Sequence, residues 1–585
     1  MKRLLVLGPL AAMACANPHA GNTGAASSSS PTSTADQAFE SMVTRFLPEY
    51  LRRNPEEATQ LGDHTHDGEW SDLSRPGDAD TRTFIAKCQD ELARIDRSHL
   101  NPQNAIDVRM LDNKLSLWLF SLDEVEGPAT NPIFYTRLIG DGLDPLVTRE
   151  FAPHAERMRS LLSRLKGIPG VVAAAKDRLT TPPRVFTETA IEQNRGLVRF
   201  VEKGLAADFA QEPALAADLG KAAHEAAASL NTFQTFLEKD LLPLSTGDFR
   251  IGSANFTKKL RWVLDDDLDP LALVQAAREE LARTQQDMVA TATELWPTLF
   301  PHQKLPASET SAARHALIRK VLDALAEDRS TNATILEDAR GDLAEATEFV
   351  RAHDLMSLPS EPCRVIEMPE YKRGVAIAYC DPSGPLEKHP DTAVAIAPTP
   401  ADWSPERVTS FYREYNRAQL KDLMVHEAMP GHFLQLMASN RFKSLVRSLY
   451  WSGPFVEGWA QYTEWLMAKY GYGGPKVRIE RQKMILRGAV NAILDHEIHA
   501  GTMGEKEALE LMIGEGFQEE SEAVGKWRRA RVSSTQLSTY FYGFSELMKL
   551  RAQHEGRPGF TERAYHDKLL SFGSPGLRYI RELMQ

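Results

Sequence analysis

The sequence predicts a mainly α chain with a small β element. Apolar residues recur at helical spacing over long stretches, at 37–54, 81–96, 103–121, 186–209, 213–240, 268–294, 309–327 and 332–353. Only three short stretches, about 363–368, 374–380 and 393–397, read as strands. No fixed-period repeat and no second linker divides the 585 residues.

Taken in order, the elements begin with a targeting segment. Lys2 and Arg3 precede a short apolar run from Leu4 to Met13, and Ala12-Met13-Ala14 forms a small-residue cleavage site before Cys15. Residues 1–15 therefore read as a signal peptide. Cleavage before a cysteine resembles a bacterial lipoprotein signal, although Ala12 replaces the usual leucine; ordinary cleavage and a free soluble protein is the alternative. Residues 16–36 read as a low-complexity tether with nothing to bury, and 37–585 as one helical domain. The expected location is the cell envelope, periplasm or outer membrane, with contact to the membrane only through a lipid on Cys15. No later stretch of 18 apolar residues occurs. A net charge of -12 argues against a nucleic-acid partner, which would need a basic surface. Oligomeric state is not written in the sequence.

Cys363 and Cys380 flank a segment whose halves read as two strands around a turn, so a hairpin would bring them together. A disulfide fits an oxidising compartment, and two buried thiols is the alternative. Cys88 sits in a helical pattern and reads as core.

The second half is well punctuated. Ser404-Pro405-Glu406 has the form of an N-cap, an N1 proline and an acidic first turn, opening a helix that is expected to run to Glu427. Gly453-Pro454 opens a second helix that carries Glu457, Gln461 and Glu464, closed by Gly471. Pro475 opens a third, ending near Ala500-Gly501, and helical patterns follow at 505–513, 519–531, 535–554 and 561–569.

The first of these helices ends in His426-Glu427-Ala428-Met429-Pro430-Gly431-His432. Two imidazoles, a carboxylate beside the first and a later carboxylate, Glu457, are the parts of a catalytic zinc site: three protein ligands leave a fourth position for water, and a neighbouring carboxylate can take its proton. In the usual zinc helix the histidines stand at i and i+4 on one face. Here they stand at i and i+6, roughly 120° apart on a straight helix. Pro430 and Gly431 supply a break that can swing His432 back toward His426. Glu464, two turns beyond Glu457, competes for the third ligand position or orients a ligand histidine; Gly458 beside Glu457 favours the latter arrangement by permitting close helix approach. Glu427 is the candidate general base.

Other polar residues are less specific. Asp495, His496, Glu497 and His499 form a cluster that reads as a solvated helix end or a support for the site, with metal binding as the alternative. Arg528, Arg529 and Arg531 precede Ser533-Ser534-Thr535-Gln536-Leu537-Ser538-Thr539-Tyr540-Phe541-Tyr542. A tyrosine here could stabilise an oxyanion and an arginine could hold a substrate carboxylate; spacing alone favours aromatic core and a surface face.

These residues carry a resemblance. Arg413-Glu414-Tyr415-Asn416, the His426–His432 motif with Gln435, Ser439-Asn440-Arg441, Ser444-Leu445-Val446-Arg447-Ser448, Glu457-Gly458-Trp459-Ala460, Ser534–Tyr540, His566-Asp567 and Gly573-Ser574-Pro575 resemble, in order, the bacterial domain of unknown function 885 family, a branch of the gluzincin-like metallopeptidases. The resemblance covers about 410–580. It implies zinc held by His426, His432 and Glu457, with Glu427 as base. It also implies a two-lobed, zincin-like helical body with a small β element near a deep channel, and Tyr540 in the region of a transition-state tyrosine. Ser534-Thr535-Gln536 replaces the Pro-Gly-Gln of other branches, which suggests a different pocket edge.

The sequence thus points to a zinc metallopeptidase acting on short peptides, with exo- and endo-cleavage unseparated. The rival readings are a zinc amidohydrolase acting on cell-wall peptides and a non-catalytic peptide-binding envelope lipoprotein.

Overall fold

Ser33 accepts a hydrogen bond from the Asp36 amide, and the Asp36 carboxylate bonds back to Ser33. This reciprocal cap satisfies free N–H groups at a helix start, so helix α1 (Thr34–Arg53) begins inside the stretch expected to be tether. The computed structural model describes residues 33–125, 127–368, 377–388, 391–400 and 403–585. The signal peptide, Cys15 and the tether up to residue 32 lie outside the described residues. At 71 % helix and 3 % strand the chain is mainly α.

Helices Arg75–Ala93 and Pro102–Asp123 stand where the pattern places them. Two long ones were not foreseen: α2 (Pro132–Thr148) and α3 (His154–Arg178). Both contain glycine and proline, which read as breaks. They pack with α4 (Ala216–Thr235) around Leu143, Leu161, Leu165, Leu230 and Phe233. A second, larger core includes α5 (Pro270–Leu299) and most of the chain after residue 256. A third joins Phe39, Phe46, Ile85 and Leu111 to Val446, Leu449 and Tyr579, tying the first helices to the last quarter of the chain. Arg447 reinforces that join: buried, its Nε lies 2.6 Å from Asp107 Oδ1 and its Nη1 donates to the Phe572 carbonyl.

The sheet corrects the hairpin. Strands β1 (Cys363–Glu367), β2 (Ala378–Asp381) and β3 (Thr392–Ile396) lie in the order β1-β3-β2, with β3 parallel to β1 and antiparallel to β2. β3 is buried at every residue and takes the centre, as a strand apolar on both faces does. Cys363 is registered with Thr392 and Cys380 with Val394, on opposite sides of β3, and both thiols are free. Residues 374–376 of the expected second strand lie outside the described residues.

The helix expected from 405 to 427 is two helices, α6 (Pro405–Glu414) and α7 (Arg417–Glu427). Asn416 causes the break. Its side chain accepts from the amides of Ala418 and Gln419, capping α7, and its amide nitrogen donates to buried Glu480. Then follow α8 (His432–Asn440), α9 (Gly453–Lys469), α10 (Gly474–His499), α11 (Glu520–Val532) and α12 (Ser538–His554). α9 packs along α12, and α10 lies against α5, α7, α9 and α12. No described helix is long and apolar enough to cross a membrane.

Candidate active site

Between α7 and α8 the chain reverses at Pro430-Gly431. The Gly431 amide donates to the Val425 carbonyl at 2.9 Å, and a Cβ at Gly431 would overlap the carbonyl oxygen of His426, so only glycine fits. The Trp459 indole of α9 donates to the Pro430 carbonyl at 2.9 Å and pins the turn. The break brings the rings of His426 and His432 to 4.7 Å between centroids, nearly perpendicular at 84°. From α9, Glu457 Oε2 lies 3.7 Å from Nε2 of each histidine. Donor atoms of His426, His432 and Glu457 all fall within 4.8 Å of one another, a grouping that could hold a metal ion.

Glu464 stands one step back. Its Oε1 bonds His426 Nδ1, and its Oε2 lies 3.1 Å from Arg481 Nη1, both side chains buried. A carboxylate on Nδ1 fixes the ring and leaves Nε2 facing Glu457. Arg481, which holds Glu464, carried no signal in the sequence. Burial alone would lower the His426 pKa, but the bonds to Glu457 and Glu464 outweigh it and hold it well above the usual histidine range. Burial, helped by His426, pushes His432 down to about 4. Glu457 stays below the usual carboxylate value: burial opposes this, and the bond to His426 prevails.

Glu427 is buried, and burial raises its pKa against the pull of His426. Its Oε2 accepts from the Cys380 amide at 2.9 Å. The β element thus reaches the site through the main chain of β2, a contact invisible to motif analysis.

The remaining polar residues separate clearly. Asp495 accepts from the amides of Thr535 and Ser538 and from the Ser538 hydroxyl, and His499 Nε2 donates to the carbonyls of Ala530 and Ser533. His496 packs edge-on against Phe256. This cluster holds the segment between α11 and α12 in place and forms no ligand group. Within that segment Thr535 has φ 66°, the left-handed region that favours glycine. Arg528 pairs with Glu192, and Arg531 lies over the Trp527 ring. Tyr542 is buried and donates to Asp266 at 2.6 Å. Tyr540 instead accepts from Arg529 Nη2 at 3.1 Å and from Gln536 Nε2 at 3.3 Å, and Arg529 Nη2 also bonds Gln536 Oε1 at 3.0 Å. Burial raises the Tyr540 pKa, and so does the charge of Glu457.

A model of bacterial proteins of unknown function, DUF885, matches residues 55–584. The chain belongs to the DUF885 family. One solved structure similar to this DUF885 chain is a lipoprotein candidate of unknown function from Shewanella oneidensis, 31% identical, with a TM-score of 0.78 over 93% of this chain and 99% of that one. A second, a lipoprotein candidate from Colwellia psychrerythraea, shares the fold at 16% identity, with a TM-score of 0.73 over 94% of this chain and 99% of its own. No curated protein matches the DUF885 chain significantly.

Proposed function

We propose that this DUF885 protein is a zinc-dependent hydrolase of peptide bonds in short peptides. The observation that carries this reading is the convergence of His426, His432 and Glu457 with Glu427 beside them. The donors suit zinc: two imidazole nitrogens and one carboxylate form a known catalytic set. Bonds of about 2.0–2.2 Å make tetrahedral edges of roughly 3.4 Å, near the 3.7 Å that separates Glu457 Oε2 from each Nε2.

Zinc at these residues would supply a Lewis acid to activate water and polarise the peptide carbonyl. Glu427 has one oxygen anchored by the Cys380 amide, so its carboxylate is aimed before substrate arrives. It takes the proton of the attacking water and returns it to the leaving amine. Tyr540 has its oxygen committed as an acceptor to Arg529 and Gln536. Its own proton is therefore free to donate to the oxygen that gains charge as the carbonyl is attacked. The ligand side chains are recessed, with 11–21 % of their surface exposed, which favours short chains over folded proteins. The similar lipoprotein candidate from Shewanella supports a place in the cell envelope, with Cys15 as the residue that would carry a lipid.

The test is metal analysis of the purified protein together with a peptide-library digest read by mass spectrometry. Wild type should hold one zinc per chain and cleave, and Glu427→Gln should hold zinc and fail to cleave. Absence of zinc, or equal cleavage by the variant, would refute the assignment.

A further inference from the structure

Arg529 differs from the cations around it. Arg487 lies against Glu522 and Glu414, Lys483 against Glu414 and Glu480, and Arg528 against Glu192. Arg529 forms no ion pair among the described residues: its Nη2 is used by Gln536 and Tyr540, and its Nε and Nη1 meet no protein acceptor. Lys526, one turn earlier on α11 and buried, meets only the Asn491 amide oxygen, at 3.4 Å. Lys483 and Arg487 are thus answered by Glu414, Glu480 and Glu522, burial drives Lys526 toward its neutral form, and Arg529 is left with no carboxylate at ion-pair distance among the described residues. Glu457 is the carboxylate whose charge reaches Arg529, and a metal ion held there would take that charge up. A desolvated cation is costly until it is paired, so the missing negative charge should arrive with the ligand.

Arginine presents a planar fork that matches a carboxylate in two parallel bonds. Both Nη2 hydrogens of Arg529 are taken by Gln536 and Tyr540, so that fork is closed, and Nη1 is left to bond one oxygen of a carboxylate. Arg529 Nη2 lies 3.1 Å from the Tyr540 hydroxyl, so an anion at the neighbouring Nη1 sits close to the reacting carbonyl. One extended residue spans at most about 3.3–3.6 Å, which places such an anion one or two residues beyond the scissile bond. A peptide always carries a carboxylate at a fixed position of that kind: its own C-terminus.

We propose that Arg529 receives the free C-terminal α-carboxylate of the substrate, so that the protein removes one or two residues from the C-terminal end of short peptides. This rests on the hydrolase reading for its chemistry but not for its binding contact. The peptide bond is broken by water, whose oxygen goes to the new carboxylate and whose proton goes to the leaving amine. The released piece carries the original α-carboxylate away from Arg529.

Calorimetric binding to the full-length Glu427→Gln protein, with and without zinc, tests the contact apart from turnover. The probes are N-acetyl-trialanine, its C-terminal amide, and the amide of N-acetyl-Ala-Ala-Glu, which has an acidic side chain and no free terminus. The free acid should bind about tenfold to a hundredfold more tightly than either amide. Arg529→Gln in the same background should erase that difference, and Arg529→Lys should keep part of it. Equal binding of acid and amide, or a preference that survives Arg529→Gln, overturns the proposal. Tight binding of the glutamate amide overturns it too, since the site would then read a side chain. With wild type, the acid should yield free alanine or dialanine from its C-terminal end. If acid preference is present and no cleavage occurs, the hydrolase reading falls and the carboxylate contact stands.

Discussion

Gly458 and Gly543 meet backbone to backbone where α9 crosses α12. A Cβ on Gly543 would overlap the Pro454 carbonyl and the Cα of Gly458, and one on Gly458 would overlap the main chain of Gly543. The two residues flank the proposed chemistry. Gly458 follows Glu457, and Gly543 is three positions after Tyr540. Their contact sets the separation of the proposed third ligand, Glu457, from the proposed oxyanion donor, Tyr540.

Gly543→Ala should therefore force the helices apart. Overpacking a tight contact costs about 1–3 kcal/mol, which thermal unfolding will register. Because Glu457 moves with α9, zinc affinity should fall as well. A variant with unchanged zinc affinity would show that the helix spacing does not position Glu457.

Glu457 and Glu464 should behave differently. Glu457→Ala removes a proposed ligand and should abolish stoichiometric zinc. Glu464→Gln leaves the ligand set complete but weakens the hold on His426 Nδ1. Losses of about 10–100-fold in metal affinity are typical of such supporting carboxylates. Competition with a chelator measures both, and the opposite ranking would make Glu464 the ligand.

The two tyrosines offer a paired test. Tyr540→Phe should lower kcat about 10²–10³-fold with little change in KM and no loss of zinc. Tyr542→Phe should leave kcat near wild type. It should lower stability by about 1.5 kcal/mol, because its buried ring loses a hydroxyl bond to the half-buried Asp266 carboxylate. Steady-state kinetics and unfolding curves on both variants decide the matter, and a silent Tyr540→Phe removes it from the mechanism.

His566 should make the protein acid-sensitive. It is wholly buried, donates from Nδ1 to the Leu355 carbonyl and accepts at Nε2 from Tyr462. Burial lowers its pKa from the ordinary 6.5 to about 4. The native state therefore binds fewer protons than the unfolded chain between these values. The resulting stability is fully present above pH 6.5, is lost as pH falls toward 4, and amounts to about 3 kcal/mol at most. Unfolding of wild type and His566→Gln from pH 7.5 to 4 should show a steeper decline in wild type. Parallel curves would place the acid response elsewhere.

How far the site could be read from the sequence depends on what each residue touches. The His426–His432 break was legible because proline and glycine act locally. The caps at Ser404 and Asn416 act locally too, yet Asn416 went unread inside a stretch that looked continuous. α2 and α3 were missed for the reverse reason. Their glycines read as breaks, whereas Gly142 and Gly167 make room for the Trp70 ring from a distant segment. The Arg481–Glu464 contact and the β1-β3-β2 order join residues far apart in the chain, and no spacing rule reports them. Thr535 lies between: its left-handed backbone is a conformation that favours glycine, and the threonine in the sequence gives no sign of it.

The hydrogen bond from Cys380 to Glu427 comes from an amide, not from a side chain. Any residue except proline can make it, so the aim of Glu427 does not depend on the thiol of Cys380, and small apolar residues that fill the same packing space can stand there. The alignment of β2 has no such freedom. Successive amides along a strand point to opposite edges, and a slip of one residue would turn this donor away from Glu427. Divergence among relatives should therefore appear as changed side chains along β2 and varied length in the loop that follows it, while insertions within 378–381 are eliminated.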